Sequence, residues 1–349
     1  MKIVSAASAF PEHYYSQELL CTALRTHWRD KLDNPEMLDK LYSRMNVDGR
    51  YLALPMLEYY GLQTWGDHNR AWMRVGEELG AKALGEAMKR AGVGPEQIGS
   101  IMFMSVTGIC SPSIDAKLVN RMGLARNVRR IPVFGLGCVG GAAGIARAAD
   151  FVKAYPGKAA ALVSVELCSL TLQRDDVSMA NLISSGLFGD GAAAVIIAGD
   201  QCAAQGPKIV ATRSTFYPDT ENVMGWDISE KGFRIVLSPG VPDVIRENLS
   251  RDVDALLGEW NLQRSDISSW IMHTGGPKIL EATQEALGVG SDALAASWEC
   301  LRRVGNLSSA SVLVVLEDFL GARRPAPGSW SVLGAMGPGF CSELVLLRW

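Results

Sequence analysis

Apolar and polar positions along the chain fall into two patterns. Residues 75–91 carry small and apolar groups at helical spacing, which predicts an Ala-rich helix closed by the turn Gly92-Val93-Gly94-Pro95. Residues 101–106, 131–136, 159–165 and 192–197 are instead short apolar runs that do not alternate. Such runs suit strands covered on both faces, so the pattern predicts an α/β sheet packed between helices. A helix over 142–153, with small residues on its packed face and Pro156-Gly157 beyond its end, separates two of these strands.

The same order of elements then recurs. A helix over 243–258 leads to the strand Trp270–His273, as the helix over 75–91 leads to Ile101–Met104, at an offset of 169 positions. Gly305-Asn306 opens a helix over 310–320, as Gly137-Cys138 opens its own 168 positions earlier. Residues 329–335 and 342–347 answer the strands 159–165 and 192–197. Several matches in register mark an internal duplication. The expected division is 1–200 and 201–349, two related halves. Residues 1–74 and 200–240 stand outside the repeat; their mixed turn formers and aromatics read as decorations over a site.

Composition narrows the classes. A chain of 349 residues, 48% of them hydrophobic, buries a large core without disulfides or metal staples. The 34 basic and 37 acidic residues give a net charge of −3, which excludes nucleic-acid binding by bulk charge. Seven scattered cysteines with no CxxC pair, and no secretory start, predict free thiols in a reducing cytoplasm. The longest uncharged runs, near 131–146 and 304–316, are broken by Gly, Ser and Asn, so no stable membrane insertion is expected. His13, His27, His68 and His273 form no HxH or HxxxH pattern, which argues against a multi-histidine metal site.

The segment Gly135-Leu136-Gly137-Cys138-Val139-Gly140 carries the chemistry. It matches GxGxxG between a strand and a helix, with Glu166 ending the next strand, as in a dinucleotide fingerprint. Glu166 lies 26 residues past Gly140, however, and about 130 residues precede the motif where a fingerprint opens its domain. The other reading is a nucleophile elbow. Cys138 then sits at a helix N-terminus, where the macrodipole lowers a thiol pKa and free amides hold an oxyanion. Cys21, Cys110, Cys202, Cys300 and Cys341 read as small core hydrophobes. The duplication matches Asn306 to Cys138 and ends a core strand at His273. In a two-fold arrangement these loops emerge on one side of the sheet, so the three side chains converge.

Gly137-Cys138-Val-Gly-Gly141, Leu187-Phe188-Gly-Asp190-Gly, Met272-His273-Thr-Gly-Gly-Pro277, Gly305-Asn306-Leu-Ser-Ser-Ala310 and Gly337-Pro338-Gly339-Phe340 together resemble the type III polyketide synthases of the chalcone synthase type. Residues 163–171 and 219–227 resemble the bacterial members that make alkylpyrones and alkylresorcinols from long-chain starters. The resemblance implies a thiolase-like fold of five αβαβα layers, a cytoplasmic homodimer, and acyl-CoA and malonyl-CoA as substrates, with no metal or organic cofactor. It implies that Cys138 carries the acyl chain as a thioester, and that His273 and Asn306 stabilise the enolate left by decarboxylation of malonyl-CoA. Phe188 becomes a gatekeeper ring, and Gly337, Pro338 and Gly339 shape the cavity floor. Ile235 stands where plant enzymes have a second gatekeeper Phe. Ser111 stands where they insert a methionine across the dimer, and Thr107 and Cys168 fall at cavity-lining positions. Smaller groups at gate and floor imply room for a long apolar starter. Lys40, Arg44 and Arg50 fall where the family binds the CoA phosphates. The rivals are a single-condensation enzyme of the β-ketoacyl synthase III kind, disfavoured by Thr-Gly-Gly after His273, a Cys-His hydrolase, and a non-catalytic acyl-binding partner on the same fold.

Overall fold

A computed structural model describes residues 1–349. The first half runs β1 (Lys2–Ala9), β2 (His13–Ser16), α1 (Gln17–His27), α2 (Met37–Ser43), β3 (Gly49–Leu52), α3 (Trp65–Ala91), β4 (Ile98–Met104), α4 (Ile114–Arg121), β5 (Arg129–Val133), α5 (Gly140–Ala154), β6 (Ala159–Leu167), α6 (Met179–Leu187) and β7 (Asp190–Ala198). The second runs β8 (Lys208–Phe216), β9 (Met224–Ser229), β10 (Gly232–Leu237), α7 (Val241–Gly258), β11 (Ile267–Met272), α8 (Pro277–Leu287), α9 (Ala295–Val304), α10 (Ser311–Leu320), β12 (Trp330–Gly337) and β13 (Cys341–Arg348).

Nine strands join in the order β11-β12-β13-β8-β1-β7-β6-β4-β5. The order is mirrored about its β8–β1 junction. β1, β7 and β6 are antiparallel neighbours, and β6 and β4 are parallel. β8, β13 and β12 repeat the antiparallel pairs, and β12 and β11 repeat the parallel one. β5 has no counterpart beyond β11. All nine residues of β6 and of β7 are buried, as their unalternating sequences require.

Successive residues of β6 feed two different cores. Ala160 and Leu162 join α5 and α10 in a middle layer, while Ala161, Val163 and Val165 face α3 and α4. β12 and β13 divide likewise, with Leu333 and Val345 in the middle layer and Val332, Leu344 and Leu346 against α7 and α8. The layers are therefore α3/α4, one sheet half, α5/α10, the other half and α7/α8. The first turns of the middle helices are small or apolar because they meet protein closely, while Arg147, Asp150 and Lys153 farther along α5 reach solvent. Gly141 of α5 shows the limit: a Cβ there would lie 2.3 Å from the Ser309 carbonyl oxygen.

Local signals account for the ends. Thr64 and Asp67 form a reciprocal capping box that starts α3 ten residues earlier than the sequence pattern predicts, and Gly92, at φ 62°, closes it. Two expectations fail. Residues 2–9 and 208–216 are strands of the central sheet rather than decorations. A repeat was present: Lys2-Ile3-Val4 with Phe10 matches Lys208-Ile209-Val210 with Phe216, at an offset of 206. The difference from 169 measures 37 additional residues in the first half, which hold α1, α2 and the β2–β3 hairpin.

Candidate active site

Cys138 lies in a single 3-10 turn, Gly137–Val139, that runs into α5. The matching turn of the second half, Ser308–Ala310, runs into α10. The two turns meet, because Gly140 and Gly141 back onto Ser309. Cys138 Sγ lies 3.9 Å from the Ser308 hydroxyl, and the nearby Asn306 amide favours the thiolate. Asn306 Oδ1 accepts the Ser308 N–H at 2.8 Å, which leaves Nδ2 as the free donor. Below the turn, a Cβ on Gly337 would lie 2.6 Å from the Val139 nitrogen, and Pro338 packs on Gly137. The end of β12 thus supports the nucleophile turn from beneath.

His273 follows β11 directly and donates its backbone N–H to Gly334 of β12 at 3.0 Å. Its loop continues to Gly276, which packs on Leu187, the neighbour of Phe188. Phe188 in turn pairs with Asn306 in a parallel bridge. The predicted loops therefore do collect around one place. The His273 ring is buried and neither ring nitrogen has a protein partner. Burial holds its pKa down to about 4, so the imidazole is neutral and offers one N–H donor and one acceptor. Burial also pushes the Cys138 thiol up to about 12, against the bonds from Ser308 and Asn306 that favour the thiolate. The direction is opposite to the lowering expected at a helix start, with burial the largest cause. Burial thus disfavours the charged form of both groups.

A mostly apolar cavity adjoins the trio without including it. Phe188, Cys168, Ile235 and Trp226 form part of its wall, with Leu20, Leu24 and Leu52. Ile235 on β10 is paired with Trp226 on β9, so the aromatic missing at Ile235 is supplied from the neighbouring strand. Trp226 went unread as a wall residue; the Gly-Trp step inside an exposed-looking hairpin gave no periodic signal.

Several other assigned residues lie away from this wall. Thr107 does not line the cavity. Its hydroxyl donates to Glu166 Oε2 at 3.0 Å and accepts the Leu167 N–H at 2.9 Å. Glu166, far from being a ribose acid, is fully buried and also takes bonds from Ser105, the Val106 N–H and Ser309. Burial raises its pKa, against these bonds. Gly337, Pro338 and Gly339 are absent from the cavity wall, and the first two underlie Cys138 instead. Ser111 lies exposed on the β4–α4 loop. Lys40 and Arg44 are exposed on and just after α2, but Arg50 is 3% exposed and belongs to the interior. Its guanidinium is hydrogen-bonded to Phe188 and Gln17, so it is not a solvated surface group.

Comparison with known proteins places this architecture. The chalcone and stilbene synthase N-terminal domain matches residues 2–201, and the C-terminal domain of the same family matches 208–349. A 1,3,6,8-tetrahydroxynaphthalene synthase of Streptomyces peucetius subsp. caesius is 47% identical over 99% of this chain and 93% of its own. A putative chalcone synthase of Bacillus subtilis (strain 168) is 32% identical over 99% of this chain and 98% of its own. The crystal structure of a 1,3,6,8-tetrahydroxynaphthalene synthase from Streptomyces coelicolor A3(2) superposes with a TM-score of 0.94 at 30% identity, covering 100% of this chain and 99% of that one. The chain belongs to the chalcone and stilbene synthase family. It is a type III polyketide synthase on the thiolase-like fold, an acyltransferase that condenses CoA thioesters. No helix is long and apolar enough to cross a membrane.

Proposed function

We propose that this synthase uses malonyl-CoA as both starter and extender and closes the chain to a hydroxylated naphthalene. The 47% identity to a tetrahydroxynaphthalene synthase over 99% of the chain carries the reading. A naphthalene skeleton has ten carbons, the yield of five malonyl units that each lose carbon dioxide. The polar cavity groups Arg174, Ser169 and Asn181 suit a chain bearing carbonyls and a carboxylate.

In this reading Cys138 Sγ attacks the starter thioester as His273 takes its proton, and CoA leaves as its thiol. Malonyl-CoA then loses carbon dioxide, and the electron pair of the broken bond becomes an enolate. Asn306 Nδ2–H and the imidazole N–H of His273 hold the enolate oxygen. Its carbon attacks the acyl-cysteine, forming the new C–C bond and returning the thiolate. No step calls for a metal or an organic cofactor, since the thioester supplies the activation. The reading also carries two halves, 1–200 and 201–349, and a cytoplasmic homodimer, for which the unpaired outer edge of β5 leaves a surface.

A long-chain starter giving an alkylpyrone or alkylresorcinol is the second reading. The apolar wall of Leu20, Leu24, Leu52, Leu172 and Ile235 favours it. Purified enzyme with labelled malonyl-CoA alone decides between them by mass spectrometry. The first reading expects a ten-carbon aromatic made entirely of label. Product formed only when dodecanoyl- to octadecanoyl-CoA is added, carrying the alkyl chain, overturns it in favour of the second.

A further inference from the structure

Asn306 is useful as a donor only if its backbone is held still, and the structure shows what holds it. Its N–H donates to the Leu187 carbonyl at 2.9 Å, and its carbonyl accepts the Gly189 N–H at 2.9 Å. The segment 187–189 therefore sets the height of Asn306 above Cys138. That segment is a loop between α6 and β7 and needs an anchor of its own.

Arg50 of β3 supplies one. Its Nη1 donates to the Phe188 carbonyl at 2.7 Å, and its Nε donates to Gln17 Oε1 at 3.3 Å. Gln17 is tied in turn to the Gly186 carbonyl at 2.7 Å. The Arg50 stem fills the space beside two glycines. A Cβ on Gly305 would lie 3.1 Å from Arg50 Cγ and Cδ, and one on Gly189 would lie 3.5 Å from Arg50 Cβ. One side chain thus touches the first-half loop and the second-half loop where they bridge. Burying a guanidinium at 3% exposure is costly unless it is hydrogen-bonded, and burial lowers its pKa here. Lys40 and Arg44, by contrast, stay on the surface.

We propose that Arg50 is a positioning residue, clamping the Phe188–Asn306 bridge so that the Asn306 amide meets the enolate oxygen. Its hydrogen bonds go to Phe188 and Gln17, not to Cys138. The proposal rests on Asn306 being the enolate donor, as in the function proposed above.

The test separates the two half-reactions. Arg50→Met keeps the stem and removes every donor, and Arg50→Lys restores one. Carbon dioxide release from malonyl-CoA and single-turnover acylation of Cys138, followed by mass spectrometry, are measured for both variants and for Asn306→Ala. Arg50→Met is expected to lower the kcat of decarboxylation by about 100-fold, the scale of an ångström's misplacement, with little change in KM. Cys138 acylation stays within about threefold, since loading makes no use of a fixed enolate donor. Arg50→Lys recovers part of the lost decarboxylation. An Arg50→Met enzyme that decarboxylates normally, or that loses loading and decarboxylation equally, overturns the clamp. If Arg50→Met does not fold, the same split in Arg50→Lys decides, and failure of both to fold overturns the proposal in favour of a stabilising role. Normal decarboxylation by Asn306→Ala would instead bring down the assignment of the donor itself.

Discussion

Cys138 and Asn306 occupy matching turns of a duplicated fold, yet the proposed mechanism gives them separate tasks. Cys138→Ala should abolish acyl loading and condensation while malonyl-CoA decarboxylation persists, because the enolate donors remain. Carbon dioxide release without a protein adduct is the expected record. Asn306→Ala should cost decarboxylation about 2–4 kcal/mol of transition-state stabilisation, read from kcat/KM. His273 makes a third prediction. Its folded pKa of about 4 lies below the ordinary 6.5, so the unfolded chain binds more protons between these values. The stability it contributes is present above pH 6.5 and is lost as pH falls through 4. The loss amounts to about 3 kcal/mol, from roughly 1.4 kcal/mol per pKa unit. Urea midpoints across that range should fall more steeply for the native enzyme than for His273→Gln. Equal slopes would show that the ring is solvated. At this scale the sequence disclosed identities but not environments. Cys138, His273 and Asn306 were legible because the duplication put them in register. Arg50 was not, because arginine is seldom buried and no periodicity marks one that is. Thr107 was placed on a cavity wall because nothing in its neighbourhood on the chain reveals that its hydroxyl turns to Glu166.

Among the elements, α5 and α10 carry the greatest constraint. Both are buried along their first turns, and their starting turns touch. Gly141→Ala directs a methyl at the Ser309 carbonyl oxygen and at Val312. Overpacking of this kind should lower stability by about 1–3 kcal/mol. It should also impair condensation, since Ser309 follows the residue beside the thiol. A melting temperature within a degree of the parent would show that the two helices can slide apart. The small and apolar composition of α5 and α10 made them readable in advance. β1 and β8 were not, since Ser, Thr and Arg interrupt them and their repeat runs at a different offset. An insertion shifts that repeat to an offset of 206, out of step with the 169 of the other elements.

At the scale of the molecule, the site draws on three contributions. The first half gives Cys138, the second gives His273 and Asn306, and the segment between β2 and α3 gives Arg50. The halves meet in the sheet only at the β1–β8 pair, with Lys2 opposite Lys208. The shared middle layer does the rest of the joining. A nick in the exposed stretch around Gln201–Gln205 should therefore leave a noncovalent complex that still condenses, detectable by activity after limited proteolysis. Loss of all activity on nicking would show that the connection carries tension between the halves.

The sheet order has a consequence for synthesis. β13 follows every other strand in the sequence, yet it lies inside the sheet, between β12 and β8. A nascent chain can complete β1, β7, β6, β4 and β5 early, but β8 waits with one edge open until β13 arrives. During that interval α5 shows an apolar face to the ribosome's surroundings. The edge of β8 and the apolar face above it are therefore covered only once β13 has been made.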